Sequence, residues 1–450
     1  MRLAPGDARA LWMSSIIPSD QFLLYCFDGA VPMGTAAGQV RSRARREPAL
    51  RARVARVPFD LDYPHWAAAD SADVLVRPGG SWEVVRDAVA DLFSDPVDPY
   101  VLPWRMHLFG PVDGAPRCSG PATVAVLQVS HALADGRRAA DLARALLSAD
   151  TVAPQPFPVR SGFGSALFGA VRLPLQVIRT VRSGLEVADI RADLDRRTEA
   201  GELPPPAVPC PPTALNVRPG ERRDVRPLVR DAAGFAPRGV SVTVAGTTAV
   251  SLALERYLRV NGDDVPRALA AEVTVARPSR GAERNSFRNV SVPLHPGTPP
   301  ALRLRLIARS LAAARERAGD PAWDALGEPD RAVPAALALM GIRGFDPGVR
   351  PDTVGGATVV SSVSRGPADL ELCGAPVAFT AGFPALSPVM GVTHGIHGLT
   401  GAAAAGAAGP VSGAGGGTVT VTVTSAPEAV ADPDRYAELL GAALDEVRDA

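Results

Sequence analysis

Residues Thr123–Gly136 read TVAVLQVSHALADG, and this stretch decides the fold class. Thr123–Val129 is a continuous apolar run of strand length, which predicts a buried strand. Gly136–Leu147 (GRRAADLARALL) carries Ala139, Leu142, Ala143, Leu146 and Leu147 on one face, which predicts an amphipathic helix. A strand that delivers a short polar loop into a helix is the unit of an α/β protein. The loop is chemically loaded. His131 follows the strand directly, and a histidine can act as a general base near neutral pH. Asp135 stands four residues later, where it can turn back to brace the loop and orient polar groups. Gly136 then permits a backbone angle that other residues avoid.

Outward from this core the mixed pattern continues. Gly6–Trp12, Gly34–Arg53 and Ser81–Phe93 read as helices, the last with a serine cap, and Gln21–Phe27 reads as a strand. In the second half the expected helices are Val240–Leu258, Pro300–Ala318 and Asp434–Val447. The expected strands are Ala271–Ala276, Thr358–Val363 and the β-branched alternation Thr418–Thr424. Between the halves, Pro154, Pro156 and Pro158 open a linker that Pro204-Pro205-Pro206 and Pro209 to Pro212 close. Inside it, residues 163–178 are mostly apolar, with Arg172 the one charge. They suit a helix packed across two domains better than an interfacial membrane helix. Ala402–Gly417, rich in Gly and Ala, reads as a flexible loop tip. The division is therefore 1–150, a linker 151–212, and 213–450.

Composition narrows the function. With 450 residues and 46% apolar content the chain can bury a large core in about two domains. Basic and acidic residues total 47 each, which argues against a nucleic-acid partner. All the basic residues are arginine, so Schiff-base and P-loop lysine chemistry is excluded. Cys26, Cys118, Cys210 and Cys373 are widely spaced and form no C-x-x-C pair, which argues against zinc and a disulfide framework. Residues 1–18 lack a basic stretch followed by a continuous apolar one, and no 18-residue apolar run occurs. The expectation is a cytoplasmic protein, with peripheral contact at the inner face of a membrane left open.

The loop Ser130–Gly136 resembles the H-H-x-x-x-D-G signature of the CoA-dependent acyltransferase superfamily. That superfamily includes chloramphenicol acetyltransferase, carnitine acyltransferases, condensation domains and the bacterial wax ester synthase/diacylglycerol acyltransferases. The chain is most similar to the last group, with weaker motifs in the right order over nearly its whole length. Leu3-Ala4-Pro5-Gly6-Asp7 is similar to that family's L-S-P-x-D, and Ser94–Trp104 to its P-L-D-x-x-x-P-L-W. Thr213–Asn216 and Arg222-Arg223 resemble its T-x-L-N and R-R elements. Ser361–Pro367 (SSVSRGP) resembles its S-N-V-P-G-P turn, and Asp432–Leu440 its closing D-P-D helix. The resemblance implies two chloramphenicol-acetyltransferase-like lobes with mixed sheets and an active-site tunnel between them. It implies acyl transfer from acyl-CoA as co-substrate, with no bound cofactor and no metal. His131 takes the base position. Asp135 takes a structural one, paired with an arginine. Ser130 replaces the first histidine, and Gly136 completes the motif.

Two further departures bear on substrate choice. The family's Asn-Asp pair corresponds to Ala245-Gly246, and its Gly-Asn element to Arg284-Asn285. Long-chain transfer to diacylglycerol or a fatty alcohol is the leading expectation, with lipid-droplet contact open. The alternatives are a non-catalytic lipid-binding homologue and an acyltransferase of specialised metabolites. His394 and His397 read as loop residues beside the substrate channel or incidental to it, not as metal ligands. His65 and His107 read as packing residues, and Asn285 and Asn289 as turn caps. Ser361, Ser362 and Ser364 are candidates for substrate hydrogen bonds, without the G-x-S-x-G of a serine nucleophile. The pairs Arg137-Arg138 and Arg222-Arg223 suit solvated helix faces better than CoA phosphates.

Overall fold

The computed structural model describes residues 1–148, 157, 159, 165–277, 283–401 and 416–450. The three linker prolines Pro154, Pro156 and Pro158 lie outside the described residues, as does the loop tip over 402–415. In the first half the strands are β1 (Gln21–Phe27), β2 (Ala52–Ala55), β3 (His65–Ala68), β4 (Val74–Ser81), β5 (Trp104–Asp113) and β6 (Ala122–Val129). The helices are α1 (Pro5–Ser14), α2 (Met33–Ala44), α3 (Trp82–Asp91) and α4 (Gly136–Leu147). The Arg-rich segment expected to be helical to Arg53 stops at Ala44, and Ala52–Ala55 pairs with β3 instead.

A long helix α5 (Ser165–Glu199) leads to the second half and packs on two short helices, α8 (Ala322–Leu326) and α9 (Glu328–Ala332). No helix among the described residues is long and apolar enough to cross a membrane. The remaining strands are β7 (Asp224–Asp231), β8 (Ala270–Ala276), β9 (Phe287–Pro293), β10 (Val359–Pro367), β11 (Glu371–Leu372), β12 (Ala375–Phe383), β13 (Val392–Thr400) and β14 (Thr418–Ser425). The remaining helices are α6 (Val242–Val260), α7 (Pro300–Ala318), α10 (Ala335–Arg343) and α11 (Pro433–Arg448).

Two six-stranded mixed sheets result. One runs β11-β12-β1-β6-β5-β4, parallel only between β4 and β5; the other runs β7-β14-β13-β10-β8-β9, with β10 parallel to both β13 and β8. Strand β6 is buried along its full length, because β1 and β5 flank it and side chains pack on both faces. Strands β11 and β12 come from the second half of the chain yet complete the first sheet, with Leu24 opposite Ala381. This exchange joins the lobes. Where β12 of one sheet meets β13 of the other, glycines allow the contact: a Cβ on Gly395 would stand 2.3 Å from the Gly382 carbonyl oxygen.

Candidate active site

The β6–α4 loop is a tight turn tied down at both ends. The Ser130 N–H donates to Pro103 O (2.9 Å), and its hydroxyl accepts from the Ala132 N–H (3.2 Å). Ser130 thus holds the turn and is itself fully buried. Asp135 is the N-cap of α4: one carboxylate oxygen accepts the Arg138 N–H at 3.0 Å. The other accepts the Ser286 N–H from the second lobe at 3.1 Å. The arginine partner expected for Asp135 is therefore replaced by two backbone donors, because the helix start and the 284–286 segment reach its carboxylate first. The backbone N–H of Asp135 also donates to Arg284 O at 3.1 Å. Gly136 does not adopt a positive φ. What calls for glycine there is proximity, since a Cβ would lie 3.2 Å from Val363 Cγ2 across the lobe junction.

His131 is partly open to a cavity of about 1010 Å³ between the lobes, whose wall includes Gln21, Ser361, Ser362, Ser364, Phe287 and Ile396. Its Nδ1 lies 3.2 Å from Asn285 Oδ1. The Asn285 amide has a fixed orientation, because its Nδ2 donates to the His131 carbonyl oxygen and to Asp7 Oδ1 (3.0 Å), and a carbonyl and a carboxylate accept. Its Oδ1 must therefore accept a proton from His131 Nδ1. The imidazole is held as the Nδ1–H tautomer, and Nε2 keeps its lone pair with no partner among the described residues. Burial holds the imidazole below the ordinary histidine range, opposed by the Asn285 hydrogen bond and the Asp135 charge. The ring is neutral near pH 7 and competent to take a proton.

Asp7 stands behind this arrangement. It is buried, and its carboxylate accepts the Arg284 N–H (2.8 Å) and the Asn285 N–H (3.0 Å) as well as the Asn285 side chain. Burial raises its pKa to about 6 despite these bonds. The sequence reading set Asn285 in the family's Gly-Asn element and took it for a turn cap, without a link to His131. The L-x-P-x-D opening was the available signal for Asp7, but nothing local connects residue 7 to residue 285.

Of the other histidines, His107 and His394 are held by hydrogen bonds in the core, whereas His397 lines the interlobe cavity. His394 and His397 lie on β13, in the strand and not in a loop. His394 is bonded to Thr358 Oγ1 and to Tyr436 Oη, both at 2.8 Å, and burial pushes its pKa down to about 3. His107 is buried against Gln128 Oε1 at 3.0 Å, with a pKa pushed down to about 4. No group of three or more His, Cys, Asp or Glu suited to a metal occurs among the described residues. Asn289 lies within β9, bonded to Thr274 and Glu272. Arg222-Arg223 precede β7 outside any helix, Arg137-Arg138 open α4, and Arg137 also lines the cavity. Ala245 and Gly246 are buried in α6, where a Cβ on Gly246 would press on Ile396 Cδ1.

Comparison with known proteins adds the following. Residues 28–228 match the model of the wax ester synthase/diacylglycerol acyltransferase catalytic domain. A proposed diacylglycerol O-acyltransferase of Mycobacterium tuberculosis (strain CDC 1551 / Oshkosh) is 26% identical over 352 residues, covering 70% of this chain and 67% of that protein. Among solved structures, the wax ester synthase/diacylglycerol acyltransferase from Marinobacter aquaeolei VT8 superposes with a TM-score of 0.62 at 17% identity, over 99% of this chain and 98% of that one. A starter condensation domain of rhizomide synthetase, solved with C8-CoA, superposes at 0.53 with 11% identity, over 99% and 94%. The structural likenesses establish a shared two-lobed α/β fold.

Proposed function

We propose that the chain is an acyltransferase of the wax ester synthase/diacylglycerol acyltransferase type that moves a long-chain acyl group from acyl-CoA to an alcohol, with His131 as general base; the match of residues 28–228 to that catalytic domain supports the reading. The observation that carries this reading is the Asn285 contact, which fixes the His131 tautomer and leaves Nε2 free at the wall of the interlobe cavity. His131 Nε2 takes the proton of the acceptor hydroxyl. The alkoxide attacks the thioester carbonyl, a C–O bond forms, and a tetrahedral oxyanion results. As the C–S bond breaks, the imidazolium returns its proton to the CoA thiolate. No covalent enzyme intermediate is required. Asp135 and Ser130 act by holding the loop. General base catalysis of this kind contributes about 10²–10⁴-fold, and holding two substrates together in one cavity adds effective concentration.

Acyl-CoA is then a co-substrate, and diacylglycerol or a fatty alcohol is the acceptor. Contact with a membrane surface or lipid droplet, where such acceptors reside, follows from that substrate class. The test is release of CoA thiol from palmitoyl-CoA with and without diacylglycerol or hexadecanol. Acceptor-dependent release supports the reading. Folded protein that releases no CoA with either acceptor shifts the weight to a second reading, a lipid-binding homologue. Ser130 in place of the first histidine and Ala245-Gly246 in place of the Asn-Asp pair favour that alternative. Transfer to a specialised metabolite would appear as release with other hydroxyl compounds only.

A further inference from the structure

Arg365, on β10, is 3% exposed and lines the same cavity as His131. A guanidinium carries five N–H donors and stays charged in proteins. Nη1 donates to the Gly136 carbonyl oxygen at 3.2 Å, while Nε has no partner. No carboxylate among the described residues forms an ion pair with it. A buried charge left without a counterion is costly, and a residue whose task was only to bridge the lobes would need one donor, not a charge.

Its neighbour shares the condition. His397, on the adjacent strand and in register with Val363, is 3% exposed, and its Nδ1 is also unpartnered. Both side chains converge over Gly382. A Cβ there would stand 2.6 Å from His397 Nε2 and 2.8 Å from Arg365 Nη2. Glycine keeps that face clear, so a cation and a neutral imidazole present N–H groups side by side at the cavity wall. The one positive charge matches one negative charge, and a planar monoanion can accept from both side chains. A dianionic phosphate would leave excess negative charge in the same buried place.

We infer that Arg365 and His397 bind the carboxylate of the acceptor, so that the chain acylates hydroxy acids in preference to neutral alcohols. The inference rests on the acyl-transfer reading above and narrows its acceptor class. The Gly136 contact sets Arg365 beside the His131–Gly136 loop, so an acceptor held there by its carboxylate can extend its hydroxyl to His131. The chemistry is unchanged: the acceptor C–O bond forms, the thioester C–S bond breaks, and the hydroxyl proton passes through His131 to CoA.

The experiment compares 6-hydroxyhexanoate, its methyl ester and hexan-1-ol as acceptors for palmitoyl-CoA, by CoA release. The acid is expected to exceed the ester in kcat/KM by about 10- to 100-fold, the range of a hydrogen bond to a charged group. Arg365→Gln shrinks that preference and Arg365→Lys keeps part of it. Equal use of acid and ester by the wild type overturns the inference while leaving acyl transfer intact. If no acceptor is used, the acyl-transfer reading fails, and calorimetry with 6-hydroxyhexanoate decides alone. Binding that weakens in Arg365→Gln upholds the carboxylate site; no binding, or binding indifferent to Arg365, overturns it.

Discussion

Asn285 Oδ1 lies 3.2 Å from His131 Nδ1, joining residues 154 positions apart across the two lobes. The amide cannot be turned round, because its Nδ2 faces two acceptors, Asp7 and the His131 carbonyl. Asn285 therefore serves as a positioning residue for the base, much as second groups orient imidazoles elsewhere. Removing it in Asn285→Ala frees the ring to rotate and to swap tautomers. The expected result is a kcat lower by about 10- to 100-fold with KM changed far less, the equivalent of one charge-assisted hydrogen bond. A variant with unaltered kcat would show that Asn285 is only structural.

The pH profile should carry the mark of the buried imidazole. Burial favours neutral His131, so the base form persists to lower pH than for a free histidine of pKa about 6.5. The acid limb of kcat/KM is expected to have an apparent pKa below that value. A limb at or above it, measured with substrate chemistry rate-limiting, would contradict the burial account.

Asp7 makes a separate prediction about stability. Its pKa is raised in the fold to about 6, from the ordinary aspartate value near 4. A raised folded pKa stabilises the fold most below the unfolded pKa, and that contribution is lost as pH rises through the folded one. Between about pH 4 and pH 6 the wild type should therefore lose about 2–3 kcal/mol relative to Asp7→Asn. Urea unfolding of both proteins across this window checks it. A difference independent of pH would mean that Asp7 titrates normally.

The second lobe has its own buried charge, in this case compensated. Arg303 Nη2 lies 2.5 Å from Glu255 Oε2, with both side chains buried between α6 and α7. Glu255 Oε1 also meets the more exposed Arg259 Nη2 at 2.5 Å, so Arg303→Met, which removes the buried partner and leaves that one, is expected to cost about 1–3 kcal/mol in unfolding free energy. A loss under 1 kcal/mol would mean that water reaches Glu255.

Much of this arrangement was legible in the chain itself. The apolar run before His131, the amphipathic spacing of α4 and the TVTVTVT alternation each reflect a local period, and each element formed within a residue or two of its expected bounds. The placement of His131 after a buried strand likewise needed no distant information. What stayed hidden depends on contacts remote in sequence. Glu371–Phe383 carries no local sign that it completes the first sheet, since pairing with β1 is decided by the whole assembly. Asn285 sits in an Arg-rich segment where a polar residue looks like surface, and only the return of that segment onto the β6–α4 loop gives it a role. Arg365 lay inside a stretch read as a turn that is extended strand, which carries its guanidinium inward to the cavity. The expected arginine partner of Asp135 failed for the same reason, because the backbone N–H of Ser286 arrives from the other lobe.

The central claim is that His131 is the base of an acyl transfer. It is tested most directly by CoA release from palmitoyl-CoA, in the presence of an accepted alcohol, by wild type and His131→Ala of matched fold by circular dichroism. The account predicts that the acceptor-dependent rate falls by about 10²-fold or more in the variant. A variant that keeps the wild-type rate would contradict it and move the chemistry to another residue of the cavity.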